Sequence, residues 1–274
     1  MAQIILTGNI ASMKAKKSLG QNFLTNQKAI QVMIESLEIK PGDTVVEIGP
    51  GKGALTKKLL ESEAAQIIGI EKDDRMVSFL TAEHEEKIRG GSFLIHHEDF
   101  LSWQPSQAEY KLIGNIPFYI TGAIIKHIFD NINPPTHLTL LVQKEVAERI
   151  VMRDGKNSIL GTAVQIYCQP KILMTVKPGS FTPPPKVHSA IVSFTNIKNP
   201  FISKEDRLSF FEFLHALFAG KRKMITSNLK VLFPKEIVEK VLIDMDHAGT
   251  TRAEDLSAQE IMHLWTSLIH TREQ

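Results

Sequence analysis

A single cysteine, Cys168, leaves the chain unable to close an intramolecular disulfide and supplies no second thiol for a CxxC metal site. Next to Tyr167 it reads as a small buried apolar residue. Long hydrophobic runs are missing too. Ile4, Ile5 and Leu6 lie near the start, but that stretch is far too short for a signal peptide and no segment approaches the ~20 residues of a membrane span, so the expected compartment is the cytoplasm, without membrane contact. Charge of one sign is also scarce. Against 30 Asp and Glu stand 32 Lys and Arg, a formal +2, so affinity for a polyanion has to come from local patches rather than from a global field. Ten histidines include the adjacent His96 and His97, which on a strand point to opposite faces, and no second ligand pair accompanies them; no metal is expected. Repeats and low-complexity tracts are absent.

What is present is a 43% apolar composition over 274 residues, enough for one α/β catalytic domain with a small appended module. Short apolar runs at Thr44–Ile48, Gln66–Glu71, Ser92–His96, Lys111–Gly114 and His137–Val142 predict strands. Between them Ala54–Ser62, Asp74–Glu86, Ile120–Phe129 and Lys144–Met152 predict helices. Such alternation implies a parallel, doubly wound, Rossmann-like sheet with its sites at the carboxyl ends of the strands. Lys171–Val176 and Ala190–Phe194 read as two further strands whose proline-rich connection is too short for a parallel crossover, so a hairpin should close the sheet edge. Beyond Asn196 the strand pattern stops. Leu208, Phe211, Leu214, Ala216 and Phe218, then Ile237, Val241 and Ile243, fall at helical spacing, placing a catalytic domain over 1–198 and a small helical domain over 199–274. The phenylalanines at 210, 211, 213 and 218 read as core packing rather than a base-stacking face.

Val45-Val46-Glu47-Ile48-Gly49-Pro50-Gly51-Lys52-Gly53 is an apolar strand that runs into closely spaced glycines and then a helix, a device that lets backbone approach a ligand. The spacing is GxGxG after an acid, not the GxGxxG of dinucleotide enzymes, and nothing fits GxxxxGK[ST]. It is the spacing of S-adenosylmethionine loops. Glu71, at the end of the next strand, stands where a carboxylate can accept both ribose hydroxyls, with Lys72 beside it. The third strand ends near Asp99 and Phe100, where the acid can accept from the adenine amine and the ring can pack on the base.

After the fourth strand comes Asn115-Ile116-Pro117-Phe118, with a proline that keeps Ile116 extended. An amine conjugated to a purine is a poor nucleophile because its lone pair is delocalised into the ring. Two acceptors aimed at its hydrogens, the Asn115 side-chain oxygen and a backbone carbonyl near Ile116 or Pro117, would favour a pyramidal nitrogen, while Phe118 stacks on the base and orients it.

With these motifs the chain resembles the KsgA-type ribosomal RNA adenine dimethyltransferases and, close to them, the macrolide-resistance adenine methyltransferases. The likeness spans nearly the whole chain and includes Lys17–Leu24, Val142–Arg149, Phe181–Ser189 and Arg252–Ser257. It implies a seven-stranded methyltransferase sheet, S-adenosylmethionine as cofactor, and dimethylation of two adjacent adenosines in a 16S hairpin near the 3′ end. It also implies that Gln21, Asn22 and Leu24 close over the cofactor, that Gly49, Gly51, Glu71, Asp99 and Asn115 hold it, and that Phe181 faces Phe118 across the target base. Ile116 and Phe118 depart from the usual Asn-Leu-Pro-Tyr, and Leu19 stands where phenylalanine is common. Lys14, Lys16, Lys17 and Lys28 on the amino-terminal arm, and Lys221, Arg222 and Lys223 in the helical domain, are candidate phosphate contacts. A monomer acting on ribosomal RNA within a small-subunit particle is the expectation. The alternatives are a large-subunit enzyme of the resistance type and a non-catalytic RNA-binding assembly factor on the same fold.

Overall fold

The computed structural model describes residues 15–16, 19–131, 133–152, 157–198, 201, 203–220 and 222–271. Strand β1 (Phe23–Leu24) and helix α1 (Gln27–Glu35) precede an alternating series: β2 (Thr44–Ile48), α2 (Ala54–Leu59), β3 (Gln66–Glu71), α3 (Asp74–Glu83), α4 (Glu85–Arg89) and β4 (Phe93–His97). Then come β5 (Lys111–Asn115), α5 (Thr121–Asp130), β6 (His137–Gln143), α6 (Lys144–Val151), α7 (Ile159–Tyr167), β7 (Gln169–Val176), β8 (Phe181–Thr182) and β9 (Ser189–Thr195). The remaining helices are α8 (Lys204–Leu217), α9 (Ile225–Leu229), α10 (Lys235–Asp244) and α11 (Ala258–His270).

Seven strands form one sheet in the order β4-β3-β2-β5-β6-β9-β7. From β4 through β6 the pairs are parallel, and β9 returns antiparallel to β6, with Leu138 opposite Phe194 and Gln143 opposite Ser189. The expected hairpin is therefore there, with β9 set inside β7. Chain order runs outward from β2 to β4, then reverses to β5 and β6. That reversal opens a crevice beyond the carboxyl ends of β2 and β5, the position at which open α/β sheets bind ligands. The central strands read as continuous apolar runs because both faces are covered: Val45, Val46, Ile67, Ile68, Leu112 and Ile113 are all at most 1% exposed.

Elements differ from the sequence reading mainly at their ends. The helix expected over Asp74–Glu86 breaks at His84 into α3 and α4, and α7 was not anticipated. The molecule divides into two compact units, Met1–Ala147 with Lys171–Ile197, and Glu148–Pro170 with Lys198–Gln274. Residues 148–170 thus group with the carboxyl-terminal helices, whereas a boundary at 198 assigns them to the sheet. Within the second unit, the buried face of α8 is Phe210, Phe213, Leu214 and Leu217, the i, i+3, i+4, i+7 stripe of an amphipathic helix. Leu208 and Ile243, assigned to the buried stripes from spacing, are 55% and 63% exposed. Phe210 packs edge-on against Trp265 at 5.4 Å and tilted against Phe201, so Phe210 and Phe213 form core while Phe211 and Phe218 are half-buried. Cys168 is buried, and burial pushes its thiol far above the ordinary range.

Candidate functional site

The crevice is a cavity of about 550 Å³ in the first unit, within the range of small-molecule sites. Its floor is the loop after β2. Gly49, Gly51 and Gly53 all take positive φ, at 61°, 58° and 76°, a conformation that side chains disfavour. A Cβ at Gly49 would meet nothing within 4 Å and would project into free space, whereas one at Gly51 would press on the Phe23 ring at 3.0 Å. Pro50 sits against Gly69 of β3, where a Cβ would lie 2.8 Å from its ring. The loop is thus held close to its neighbours while leaving room above Gly49.

Glu71 closes the next strand almost fully buried, at 6% exposure. Its Oε2 accepts the Gly51 amide at 2.9 Å and its Oε1 accepts the Asp73 amide at 2.8 Å. Burial raises the carboxyl above its ordinary value while these amides pull it back. Asp99 accepts from Lys72 Nζ at 2.7 Å and from the Leu101 amide at 3.1 Å, and the lysine beside it holds the acid below the ordinary range. Phe100 lines the same wall and stacks on Trp103 at 5.7 Å.

Across the crevice, Asn115 ends β5. Its Nδ2 donates to the Asn22 carbonyl at 2.8 Å. Because a carbonyl cannot donate, this bond decides which way the amide faces and leaves Oδ1 without a hydrogen-bond partner among the described residues. Pro117 and Phe118 follow on the rim; the Pro117 carbonyl accepts the Ile120 amide at 3.3 Å and the Phe118 carbonyl accepts the Thr121 hydroxyl at 3.1 Å.

The segment that carries Gln21, Asn22 and Leu24 borders the cavity too. What anchors it is Asp73, a carboxylate 1% exposed that the sequence reading passed over. Asp73 accepts from Lys16 Nζ at 3.1 Å, Gln21 Nε2 at 3.0 Å and Arg75 Nη2 at 2.6 Å; Arg75 first, with Gln21 and Lys16, holds it well below the usual carboxylate range. Lys16, a candidate phosphate contact, is therefore committed to an ion pair, while Lys28 is exposed. An acid two residues beyond Glu71, at the amino cap of α3, was the available signal.

Gln21, Asn22, Leu24, Gly49, Gly51, Glu71, Lys72, Asp99, Phe100, Asn115, Pro117 and Phe118 therefore converge on one cavity. Phe181 is not among the residues that line it; pairing of β8 with β1 sets it opposite Leu24, which does line the cavity, and its ring is 3% exposed in the core cluster that also holds Leu24. An exposed aromatic at the rim is Tyr119, 65% exposed beside Gly20. Arg222 and Lys223 are exposed on the second unit, and Lys221 and the arm's Lys14 and Lys17 lie outside the described residues. Among the described residues no cluster of His, Cys, Asp or Glu could hold a metal ion, and no helix is long and apolar enough to cross a membrane.

Comparison with known proteins accords with this arrangement. The family model described as ribosomal RNA adenine dimethylase matches residues 12–270. A ribosomal RNA small subunit methyltransferase A from Dehalococcoides mccartyi is 35% identical over 257 residues, 91% of this chain and 87% of the relative. Among solved structures, a dimethyladenosine transferase from Plasmodium falciparum superposes with a TM-score of 0.77 at 26% identity, covering 92% of this chain and 98% of the other. The 23S rRNA methyltransferase ErmE gives 0.73 at 26%, covering 90% and 100%. A glycine loop with open space above it, acids at or just past the ends of successive strands and an asparagine presenting its oxygen suit a methyl donor bearing a nucleoside, and with a family match along almost the whole chain they make this protein an S-adenosylmethionine-dependent member of the ribosomal RNA adenine dimethylase family.

Proposed function

We propose that this chain dimethylates the N6 amines of two adjacent adenosines in a hairpin near the 3′ end of small-subunit ribosomal RNA, working as a cytoplasmic monomer on small-subunit particles. The observation that carries the reading is Asn115: its amide is turned by the Asn22 carbonyl so that Oδ1 is offered at the cavity. An acceptor held there before the substrate arrives costs no reorganisation when the amine begins to pyramidalise. The Ile116 carbonyl is the second acceptor, the Pro117 carbonyl having one of its two lone pairs engaged by the Ile120 amide. Phe118 stacks on the target base. Phe181 on β8, paired opposite the cavity-lining Leu24, approaches the base from the other face.

On the cofactor side, Glu71 receives the ribose hydroxyls, Asp99 the adenine amine, and Phe100 packs on the adenine ring. Lys72 keeps Asp99 ionised, hence an acceptor on both oxygens. Gly49 and Gly51 let the chain pass close beneath, and Gln21, Asn22 and Leu24 cover the bound molecule. S-adenosylmethionine supplies a methyl already activated on a sulfonium, so the chain needs no nucleophile of its own. The sheet domain does this work. Lys221, Arg222 and Lys223 in the helical domain from 199 onward neutralise RNA phosphates.

Small-subunit RNA is preferred over large-subunit RNA because the curated relatives at about a third identity carry the small-subunit name across nine tenths of this chain. The test is to incubate the protein and labelled S-adenosylmethionine with undermethylated small-subunit particles and, separately, with large-subunit RNA, then digest and weigh the nucleosides. N6,N6-dimethyladenosine from the small-subunit particles alone is expected. Label confined to large-subunit RNA, or none in either, would overturn the assignment.

A further inference from the structure

The one-turn helix Phe118–Ile120 carries two aromatic side chains, and only Phe118 has a role on the target base. Successive residues of a 3₁₀ turn are about 120° apart, so the two rings project in different directions and serve different partners. Phe118 is half-buried, whereas Tyr119 is 65% exposed and yet borders the cavity. The turn beneath Tyr119 is pinned. On one side the Ile120 amide donates to the Pro117 carbonyl at 3.3 Å, and on the other the Thr121 hydroxyl donates to the Phe118 carbonyl at 3.1 Å. The ring itself is braced by the arm. Gly20, with φ at 60°, lies so close to it that a Cβ there would come within 3.1 Å of both Cδ1 and Cε1. An aromatic braced on one side by backbone and otherwise open to solvent is ordered before a ligand arrives, and loses little freedom when one does.

The RNA substrate supplies a ligand for that ring. An adenine reaches the Asn115 oxygen only after leaving its stack, which strips the adjoining base of a stacking partner at a cost in free energy. The phosphodiester chain keeps that adjoining base at the mouth of the cavity, where Tyr119 stands. We propose that Tyr119 is the platform on which the base next to the target adenosine stacks, replacing the partner that it has lost. This inference rests on the RNA adenine substrate given above. Stacking tolerates differences between bases because every base has a π-face, so the platform accepts an unmodified or a dimethylated adenine alike. With two adjacent adenosines as targets, each can occupy it while the other is in the cavity.

The test is initial-rate methylation of undermethylated small-subunit particles over a range of particle concentrations at saturating S-adenosylmethionine, with cofactor affinity measured separately by calorimetry. Tyr119→Ala should raise the particle KM on the order of tenfold, as for the loss of one stacked base, with the cofactor Kd left where it is in the parent. Tyr119→Phe should restore the particle KM, and Tyr119→Leu should not, because leucine supplies apolar area without a π-face. Alanine and leucine variants with the parent KM, or a leucine variant that recovers it as fully as phenylalanine, overturn the inference alone. A cofactor Kd that rises in step with the particle KM also overturns it, since Tyr119 would then cover the cofactor rather than hold a base. Failure of the parent to methylate the particles at all overturns the substrate assignment beneath it.

Discussion

Glu71→Ala removes two acceptors at once, and its cost can be worked from the contacts. On sequence alone Glu71 reads as a ligand whose loss spares the fold. In the structure it also staples the glycine loop to the start of α3 through the Gly51 and Asp73 amides, both within 2.9 Å of its oxygens. An orphaned interior amide costs about 1–3 kcal/mol. Gly51 borders the cavity, where water can reach its N–H, and deletion also relieves a carboxylate disfavoured by burial, so the sum falls near 2–4 kcal/mol. For a domain the size of the sheet unit this lowers Tm by about 4–16 °C. Cofactor at a hundred times its Kd should stabilise the parent by about 2.7 kcal/mol, and the alanine variant should lose most of that gain because the ribose acceptors are gone. Glu71→Gln, which keeps one acceptor oxygen, should melt between the two. Differential scanning calorimetry with and without S-adenosylmethionine reads both effects. A Glu71→Ala protein that melts within a degree of the parent and is stabilised equally by cofactor would refute both the staple and the ligand role.

Asn115→Ala is expected to lower single-turnover methylation by ~100-fold while weakening cofactor binding only modestly, and Asn115→Asp to do worse because a carboxylate would face the Asn22 carbonyl; turnover at the parent rate would rule out Oδ1 as the acceptor. Phe118→Ala should slow the second transfer more than the first, since N6-methyladenine has one N–H left to read and leans harder on a stack worth about 1–3 kcal/mol. Monomethyladenosine should then accumulate in a nucleoside time course, whereas Phe118→Tyr stays near parent; equal slowing of both steps would remove this dependence. Asp73→Asn should loosen the segment carrying Lys16 and Gln21, lowering Tm by a few degrees and weakening cofactor binding at pH 7. Because the folded acid titrates below its ordinary 3.8, that stability is present above pH 3.8 and is lost as pH falls further; the gap between variant and parent in acid and thermal melts should hold from pH 7 to 5 and narrow below pH 3.8.

By itself the sequence determined whatever depends on neighbours a few residues apart. The strand at Thr44–Ile48, the glycines that follow it, Glu71 at the end of its strand and Asn115-Ile116-Pro117-Phe118 are all legible because a short apolar run, a turn and a helix start are local events, and a parallel sheet then aligns their carboxyl ends. The tertiary structure decided what hangs on contacts between distant segments. Phe181 sits opposite Leu24 because β8 pairs with β1, about 158 residues earlier, and no local pattern of Phe181–Ser189 reveals that partner. Asp73 becomes a buried latch only when Lys16 and Gln21 fold back onto it across more than fifty residues. The buried stripe of α8 takes Phe210 and Phe213 rather than Leu208 because Trp265 and Phe201 come from elsewhere in the chain to cover that face. Glu47 is an ordinary acid in the sequence. Placing it inside the sheet, bonded to Thr56 and facing Glu71, pushes its carboxyl up to about 8, because the desolvation that raises a carboxyl is a property of the packed interior and not of the residue.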